Sequence, residues 1–396
     1  MLPQITQIYA DRKMKMVIKL RLLLITFFAA SLISNGQIKI RLFSSQTPET
    51  VVFAVTDGEY ILKGYKDGPE IFRKNDLILI SKINGRLAVK SRNSNGFIAD
   101  SLNLAAVSET SSFSLRTNGM NPVRQYYKGD FSCFPDMETL VLINNIDVDS
   151  YIAGVVRAEG GINKHKEYFK TQAIIARTYL YSHLDKHIHD NYNVCDNTHC
   201  QAFNGISTDS VINSASLETR GMVIIDKDSS LIISAFHSNC GGMTVSSKDV
   251  WVTELPYLKS IIDPHCINSK NATWELKIGF DEWTDYIKGE GYTGKTNDMS
   301  LLSFFQNKRW VDYKAGSFTM PFEKIRDDFK LRSSYFSVIA AKDSVTFRGK
   351  GYGHGVGLCQ EGAMEMAATG STYQQIIEFY YFGVLISDVK NAKFQE

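Results

Sequence analysis

The chain has 396 residues, 44% of them hydrophobic and 22% charged, with a formal net charge of +2. This is ordinary globular composition, long enough for two or three domains with a real core. No internal repeat or low-complexity tract is present, and the near-neutral charge gives no reason to invoke nucleic acid.

Taken in chain order, the first element is an export signal. Arg12, Lys13, Lys15, Lys19 and Arg21 flank an apolar run at 20–33, and Ser34-Asn35-Gly36 follow as small or polar residues suited to cleavage. Residues 1–36 are therefore expected to direct export to the periplasm or cell surface, with Met14 or Met16 as an alternative start. The other reading is an uncleaved membrane anchor, for which the uncharged stretch is short. No cysteine follows the run, which argues against a lipoprotein. Removing the five basic residues and single acid of 1–36 leaves the exported chain at −2. Its six cysteines are compatible with disulfides outside the cell, but six in so long a chain is not a disulfide scaffold.

From residue 37 to about 148 the pattern is of short strands. Ile38-Lys39-Ile40-Arg41-Leu42 alternates as a half-buried strand does. Residues 51–55, the Asp57-Gly58 pair and residues 60–62 read as a hairpin. Segments 77–80, 87–89 and 141–143 continue the antiparallel theme.

The texture changes at Asp149. Ile152, Val155, Val156 and Glu159 share one helical face, and Gly160-Gly161 end that helix. A longer helix is predicted over 165–184, with Phe169, Ala173, Ala176 and Leu180 as its apolar stripe. Strands are expected within 222–237, and helices over 361–368 and 373–381. The fold class is α+β: an antiparallel β-rich part at 37–125, a mixed core at 126–388 and a tail at 389–396.

Four places carry candidate chemistry. Glu159 stands on an apolar face, where burial would raise its pKa and keep it protonated as a general acid requires. The alternative is a helix-ending glutamate paired with Arg157 or Arg177. His187-x-His189-x5-Cys195-x4-Cys200, with His199 beside it, suits zinc, while a Cys195–Cys200 disulfide is the alternative. Ser238-Asn-Cys-Gly-Gly242 suggests close backbone approach to a ligand or a structural turn. Finally, residues 349–363 set glycines at alternate positions ahead of a helix, with His354, Gln360 and Glu361 among them. That spacing is neither a P-loop nor a dinucleotide fingerprint.

Together these segments resemble the SpoIID/LytB family, named for stage II sporulation protein D. The resemblance rests on Tyr151-Ile-Ala-Gly-Val-Val-Arg-Ala-Glu159, Lys170-Thr-Gln-Ala-Ile-Ile-Ala-Arg-Thr-Tyr179 and Cys195-Asp-Asn-Thr-His-Cys-Gln-Ala-Phe203. It continues through Ser238-Asn-Cys-Gly-Gly242, Gly353-His-Gly-Val-Gly-Leu-Cys-Gln-Glu-Gly-Ala363 and Tyr373-Gln-Gln-Ile-Ile-Glu-Phe-Tyr-Tyr-Phe-Gly383, in the family's order over about 126–385. Two departures are Cys359, where many members have serine, and Gly160-Gly161, where a bulkier residue is common.

The resemblance implies that 126–388 is a catalytic core acting as a peptidoglycan lytic transglycosylase on strands stripped of stem peptides. It implies Glu159 as the acid/base and puts His189, Cys195 and Cys200 where some members bind zinc, a metal expected to be mainly structural; Gln172, Arg177, Ser238, His354, Gln360 and Glu361 are expected to contact substrate. Arg177 is expected to face a muramic carboxylate, and the backbone of Gly353, Gly355 and Gly357 to meet sugar. One acid suffices for this chemistry, whereas hydrolytic glycosidases usually need two carboxylates; Glu361 is the residue to watch as a second. The alternative is a non-catalytic glycan-binding protein or an enhancer of a cell-wall amidase. For a zinc peptidase or amidase the chain lacks the expected HExxH.

Overall fold

The computed structural model describes residues 36–63, 70–92, 95–118, 122–251 and 253–394. The expected export signal lies, apart from Gly36, outside the described residues. Among the described residues no helix is long and apolar enough to cross a membrane. Helices and mainly antiparallel sheets make the protein α+β. The chain divides into two units, Met1–Val155 with His183–Ser207 and Val156–Ser182 with Thr208–Glu396.

The first unit is built on two sheets. One has seven strands in the spatial order Val194–Cys195, Gln37–Leu42, Leu140–Asp147, Asp130–Pro135, Leu102–Ala106, Glu59–Leu62, Glu70–Arg73. The other has six, ordered Arg124–Lys128, Ser112–Thr117, Thr50–Asp57, Leu77–Ile83, Arg86–Ser91, Phe97–Ala99. Burial alternates along these strands, so each places one row of side chains inside. Phe53 and Phe113 from the six-stranded sheet meet Tyr60 and Phe131 from the seven-stranded one, with ring centroids 4.8–5.7 Å apart. That aromatic cluster is the centre of this core.

The hairpin expected at Asp57-Gly58 is not formed. Thr50–Asp57 pairs with Leu77–Ile83 and Ser112–Thr117, while Glu59–Leu62 pairs with Glu70–Arg73 and Leu102–Ala106. The turn instead carries the chain from one sheet to the other. Gly58 is needed there: its φ is +68°, and a Cβ would lie 2.5 Å from the Ser111 hydroxyl oxygen. The boundary expected at 125/126 falls inside a strand, Arg124–Lys128, because the strands up to Asp147 complete the sheets that the N-terminal strands begin.

The helix Val148–Gly160 starts in the first unit and ends, from Val156, in the second. The second unit centres on the helix Lys166–Ser182, buried around most of its circumference. The helices Ser210–Glu218, Gln360–Ala368 and Tyr373–Tyr380 and the strand Met222–Ile225 contact it. Of the strands expected within 222–237, Met222–Ile225 pairs with Leu385–Asp388, and Phe236–His237 pairs in parallel with Leu358–Cys359. Residues 273–350 add a three-stranded sheet, Thr273–Gly279, Ser344–Lys350 and Phe336–Ala341, closed over a core that includes Trp283, Tyr313, Phe322, Phe336 and Phe347.

Candidate functional site

Glu159 lies half-buried in the last turn of its helix, one residue before the final Gly160. Two side chains of the Lys166–Ser182 helix crowd this corner. The Tyr168 ring and hydroxyl lie 3.4 Å, and a Gln172 side-chain carbon 3.7 Å, from where a Cβ on Gly160 would stand. Both residues are buried, and among the described residues neither the Tyr168 hydroxyl nor the Gln172 amide nitrogen has a hydrogen-bond partner. Buried polar groups are nearly always paired, so these two stand out at the corner next to Glu159. Tyr168 stays protonated: burial raises its pKa most, and the nearby charges of Cys359, Glu159 and Glu361 add to this. It is a fixed neutral donor at this corner. Sequence reasoning missed it, since a tyrosine on a helix reads as core.

The third wall is the start of the helix Gln360–Ala368. The Gln360 side-chain amide donates to the Glu159 carbonyl oxygen at 3.1 Å. Its neighbour Glu361 is firmly engaged. One carboxylate oxygen accepts from Asn239 Nδ2 at 2.6 Å and from the Ser269 hydroxyl, and the other accepts from Asn271 Nδ2. The Glu361 N–H donates to the Ser238 carbonyl at 3.0 Å. Glu361 therefore ties the 238–239 and 269–271 segments to the helix start. Ser238 joins the corner through its backbone, while its hydroxyl meets Asn271 at 3.4 Å.

Two expected contacts need correction. Arg177 is fully buried, and its guanidinium donates to the carbonyls of Ser216 (3.1 Å), Thr219 (2.8 Å) and Met222 (3.3 Å). It caps the carboxyl end of the helix Ser210–Glu218, where orphan carbonyls and the helix dipole attract a cation, so it does not face a ligand. His354 is also structural: one ring nitrogen bonds the Phe236 carbonyl at 2.9 Å and the other accepts from the Val356 N–H at 3.0 Å. Burial lowers its pKa to about 4, so it is neutral near pH 7.

The glycine-rich loop is packed rather than open. Gly351, Gly353, Gly355 and Gly357 all have φ between +70° and +105°. The Gly353 N–H donates to Arg332, and the Gly355 carbonyl accepts from Val245. A Cβ on Gly357 would sit 2.2 Å from the Ala235 carbonyl oxygen, so this glycine serves close backbone packing and not exposure to sugar.

The first unit carries the expected Cys/His cluster with His187 in place of His189 and His199 as a fourth member. Cys195, Cys200, His187 and His199 place their donor atoms within 4.8 Å of one another. Cys200 Sγ lies 3.4 Å from His187 Nε2, and Cys195 Sγ 3.6 Å from His199 Nδ1. His189 is exposed and outside the group, because the 3-10 turn Ile188–Asp190 rotates it away from the face that His187 shares with the cysteines. Neither cysteine is in a disulfide. Two sulfurs and two imidazoles at this separation fit a tetrahedral zinc site.

A family model described as stage II sporulation protein matches residues 136–225, which include Glu159, Tyr168, Gln172 and both cysteines of this cluster. The chain is 27% identical over 268 residues to an uncharacterised protein of Brachyspira hyodysenteriae, covering 66% of this chain and 72% of that one. It is 27% identical over 271 residues to stage II sporulation protein D of Bacillus subtilis, covering 62% and 76%. It is 27% identical over 289 residues to the amidase enhancer of Bacillus subtilis, covering 60% of this chain and 40% of that protein.

Proposed function

This chain belongs to the stage II sporulation protein D family, and on that premise we propose that it is an exported cell-wall enzyme, a lytic transglycosylase of peptidoglycan glycan strands with Glu159 as its acid/base. The observation that carries this reading is the grouping of Glu159 with the buried, unpartnered Tyr168 hydroxyl and Gln172 amide, beside a Glu361 whose carboxylate is already engaged. A hydrolytic pair needs a second carboxylate free to activate water or attack the sugar. Glu361 accepts hydrogen bonds on both oxygens from Asn239, Ser269 and Asn271, so we assign it the structural role and Glu159 the acid's.

The chemistry then follows from Glu159 alone. Its carboxyl gives its proton to the glycosidic oxygen as the bond to the anomeric carbon of the muramic residue breaks. The resulting carboxylate takes the proton of the same sugar's 6-hydroxyl, whose oxygen closes on the anomeric carbon. Glu159 is regenerated as the acid, no water is consumed, and the product ends in a 1,6-anhydro sugar. Gln360 fixes the backbone of Glu159, and Tyr168 supplies a donor that stays neutral throughout. A zinc ion on His187, Cys195, His199 and Cys200 would hold the 187–200 segment together and take no part in the chemistry.

The test is a Glu159→Gln variant on peptide-free glycan. Cleavage should fall by roughly 10²–10⁴-fold, the loss expected for one general acid, with glycan binding and thermal stability retained. Wild-type rates in the variant would remove Glu159 from the mechanism. The relative named amidase enhancer supports a second reading, in which the protein binds glycan and assists a cell-wall amidase without cutting. In that case Glu159→Gln would leave amidase stimulation intact.

A further inference from the structure

Of the four cysteines outside the chemistry described so far, three lie together. Cys240, Cys266 and Cys359 are fully buried with Asp263, and the four donor atoms lie within 4.8 Å of one another. Cys240 Sγ is 3.3 Å from Cys266 Sγ and 3.2 Å from Asp263 Oδ2. Around a tetrahedral zinc with Zn–S of about 2.3 Å, neighbouring sulfurs stand ~3.8 Å apart. The observed separation is close to that and well beyond a covalent S–S bond of about 2.05 Å.

The surroundings are those of ligands. Cys359 caps the helix Gln360–Ala368, and its sulfur accepts the N–H groups of Gly362 (3.4 Å) and Cys240 (3.3 Å). Asp263 accepts the Tyr380 hydroxyl at 2.9 Å on one oxygen and the His265 N–H at 2.9 Å on the other. Such donors orient the thiolates and carboxylates that hold a metal. Arg309 anchors its guanidinium on the carbonyls of Cys240 and Met243, both at 2.7 Å, and brings a positive charge toward the sulfurs. Gly362 leaves the space: a Cβ there would lie 2.5 Å from Asp263 Oδ2. Burying a carboxylate among three cysteines is costly unless it is well paired, and a cation held by all four groups supplies that pairing where a Cys240–Cys266 disulfide would not.

We propose that Cys240, Asp263, Cys266 and Cys359 form a closed four-ligand site for a structural zinc ion, in addition to the His/Cys cluster of the first unit. The four ligands come from three segments far apart in sequence. The ion joins them at the residue before Gln360, and so holds the helix start that places Gln360 against Glu159. The site stands whether or not Glu159 cleaves glycan, because metal content and activity are read separately.

The experiment is elemental analysis of the purified full chain and its variants. Wild type should carry about two zinc ions per chain, one for each four-ligand site. A Cys195→Ser/Cys200→Ser double variant should keep one, and adding Cys266→Ser should remove it. Because Cys266→Ser can also prevent folding, Asp263→Asn is the second variant. It keeps the three sulfurs and the shape, and should fold but release this zinc to a chelator at least tenfold faster than wild type. In folded wild type, Cys240, Cys266 and Cys359 should resist alkylation until chelator is added. A Cys195→Ser/Cys200→Ser variant that folds without zinc overturns the site. So does a non-reduced wild-type mass lighter by two hydrogens with the loss mapped to any pair of these three cysteines.

Discussion

The Gln360 side chain holds the Glu159 carbonyl oxygen at 3.1 Å, across 201 residues of sequence. The bond ties the last turn of one helix to the first residue of another and holds the backbone that carries Glu159. Gln360→Leu keeps the bulk and removes the donor. It should lower kcat about tenfold with KM little changed, and cost about 1 kcal/mol of stability, as expected for one neutral hydrogen bond. Steady-state kinetics on peptide-free glycan with a denaturant melt checks both. An unchanged kcat would make Gln360 a packing residue only.

Glu361 is expected to behave as a structural carboxylate. In Glu361→Gln one oxygen becomes an NH2 that faces the amide and hydroxyl donors of Asn239, Ser269 and Asn271. Leaving those groups unmatched should cost roughly 1–3 kcal/mol. Cleavage below the melting range should stay within about tenfold of wild type, far above Glu159→Gln. Equal inactivation by the two substitutions would show two working carboxylates and a hydrolytic pair.

Arg177→Met tests the capping role. Two carbonyls at the end of the helix Ser210–Glu218 and one at the start of the strand Met222–Ile225 lose their donor. Stability should drop by about 2–5 kcal/mol, the range for breaking a buried charged hydrogen-bond network. KM for glycan with a free muramic carboxylate should be unchanged relative to glycan lacking it. A selective rise in KM for the carboxylate-bearing strand would return Arg177 to the substrate.

Stability should also depend on pH in a defined window. His354 is lowered from 6.5 to about 4 and the buried His237 well below 6.5, in both cases first by burial. The unfolded chain therefore binds more protons than the native one between these values, and stability rises with pH across that range. The contribution is complete above about pH 6.5 and lost as pH falls toward 4. The carboxylate Glu218, held down to about 2, acts only at lower pH. Ring chemical shifts should show both histidines neutral at pH 5.5, and the melting temperature should decline from pH 6.5 to 4.5. Titration of His354 near 6.5 would contradict its placement.

Much of this was legible in the sequence where the signal is periodic. The helices Val148–Gly160 and Lys166–Ser182 follow from apolar spacing and the Gly160-Gly161 stop. The Asp57-Gly58 turn was not, because the same turn chemistry serves a hairpin or a passage between sheets, and strand partners decide which. Arg177 reads as a ligand contact until its carbonyl partners, 39–45 residues away, are seen. The exchange of His189 for His187 turns on a single 3-10 turn, below the resolution of spacing arguments. The Cys240, Asp263, Cys266 and Cys359 group is spread over 120 residues and matches no ligand spacing; only the tertiary structure gathers it.

The central claim is that one acid, Glu159, cuts glycan without water. Mass analysis of products from purified peptide-free strands measures this most directly. The account predicts new ends carrying a 1,6-anhydro muramic residue, each lighter by one water than a hydrolysed end, and none of them with Glu159→Gln. Products that all bear a reducing muramic end, or anhydro ends formed equally well by Glu159→Gln, would contradict it.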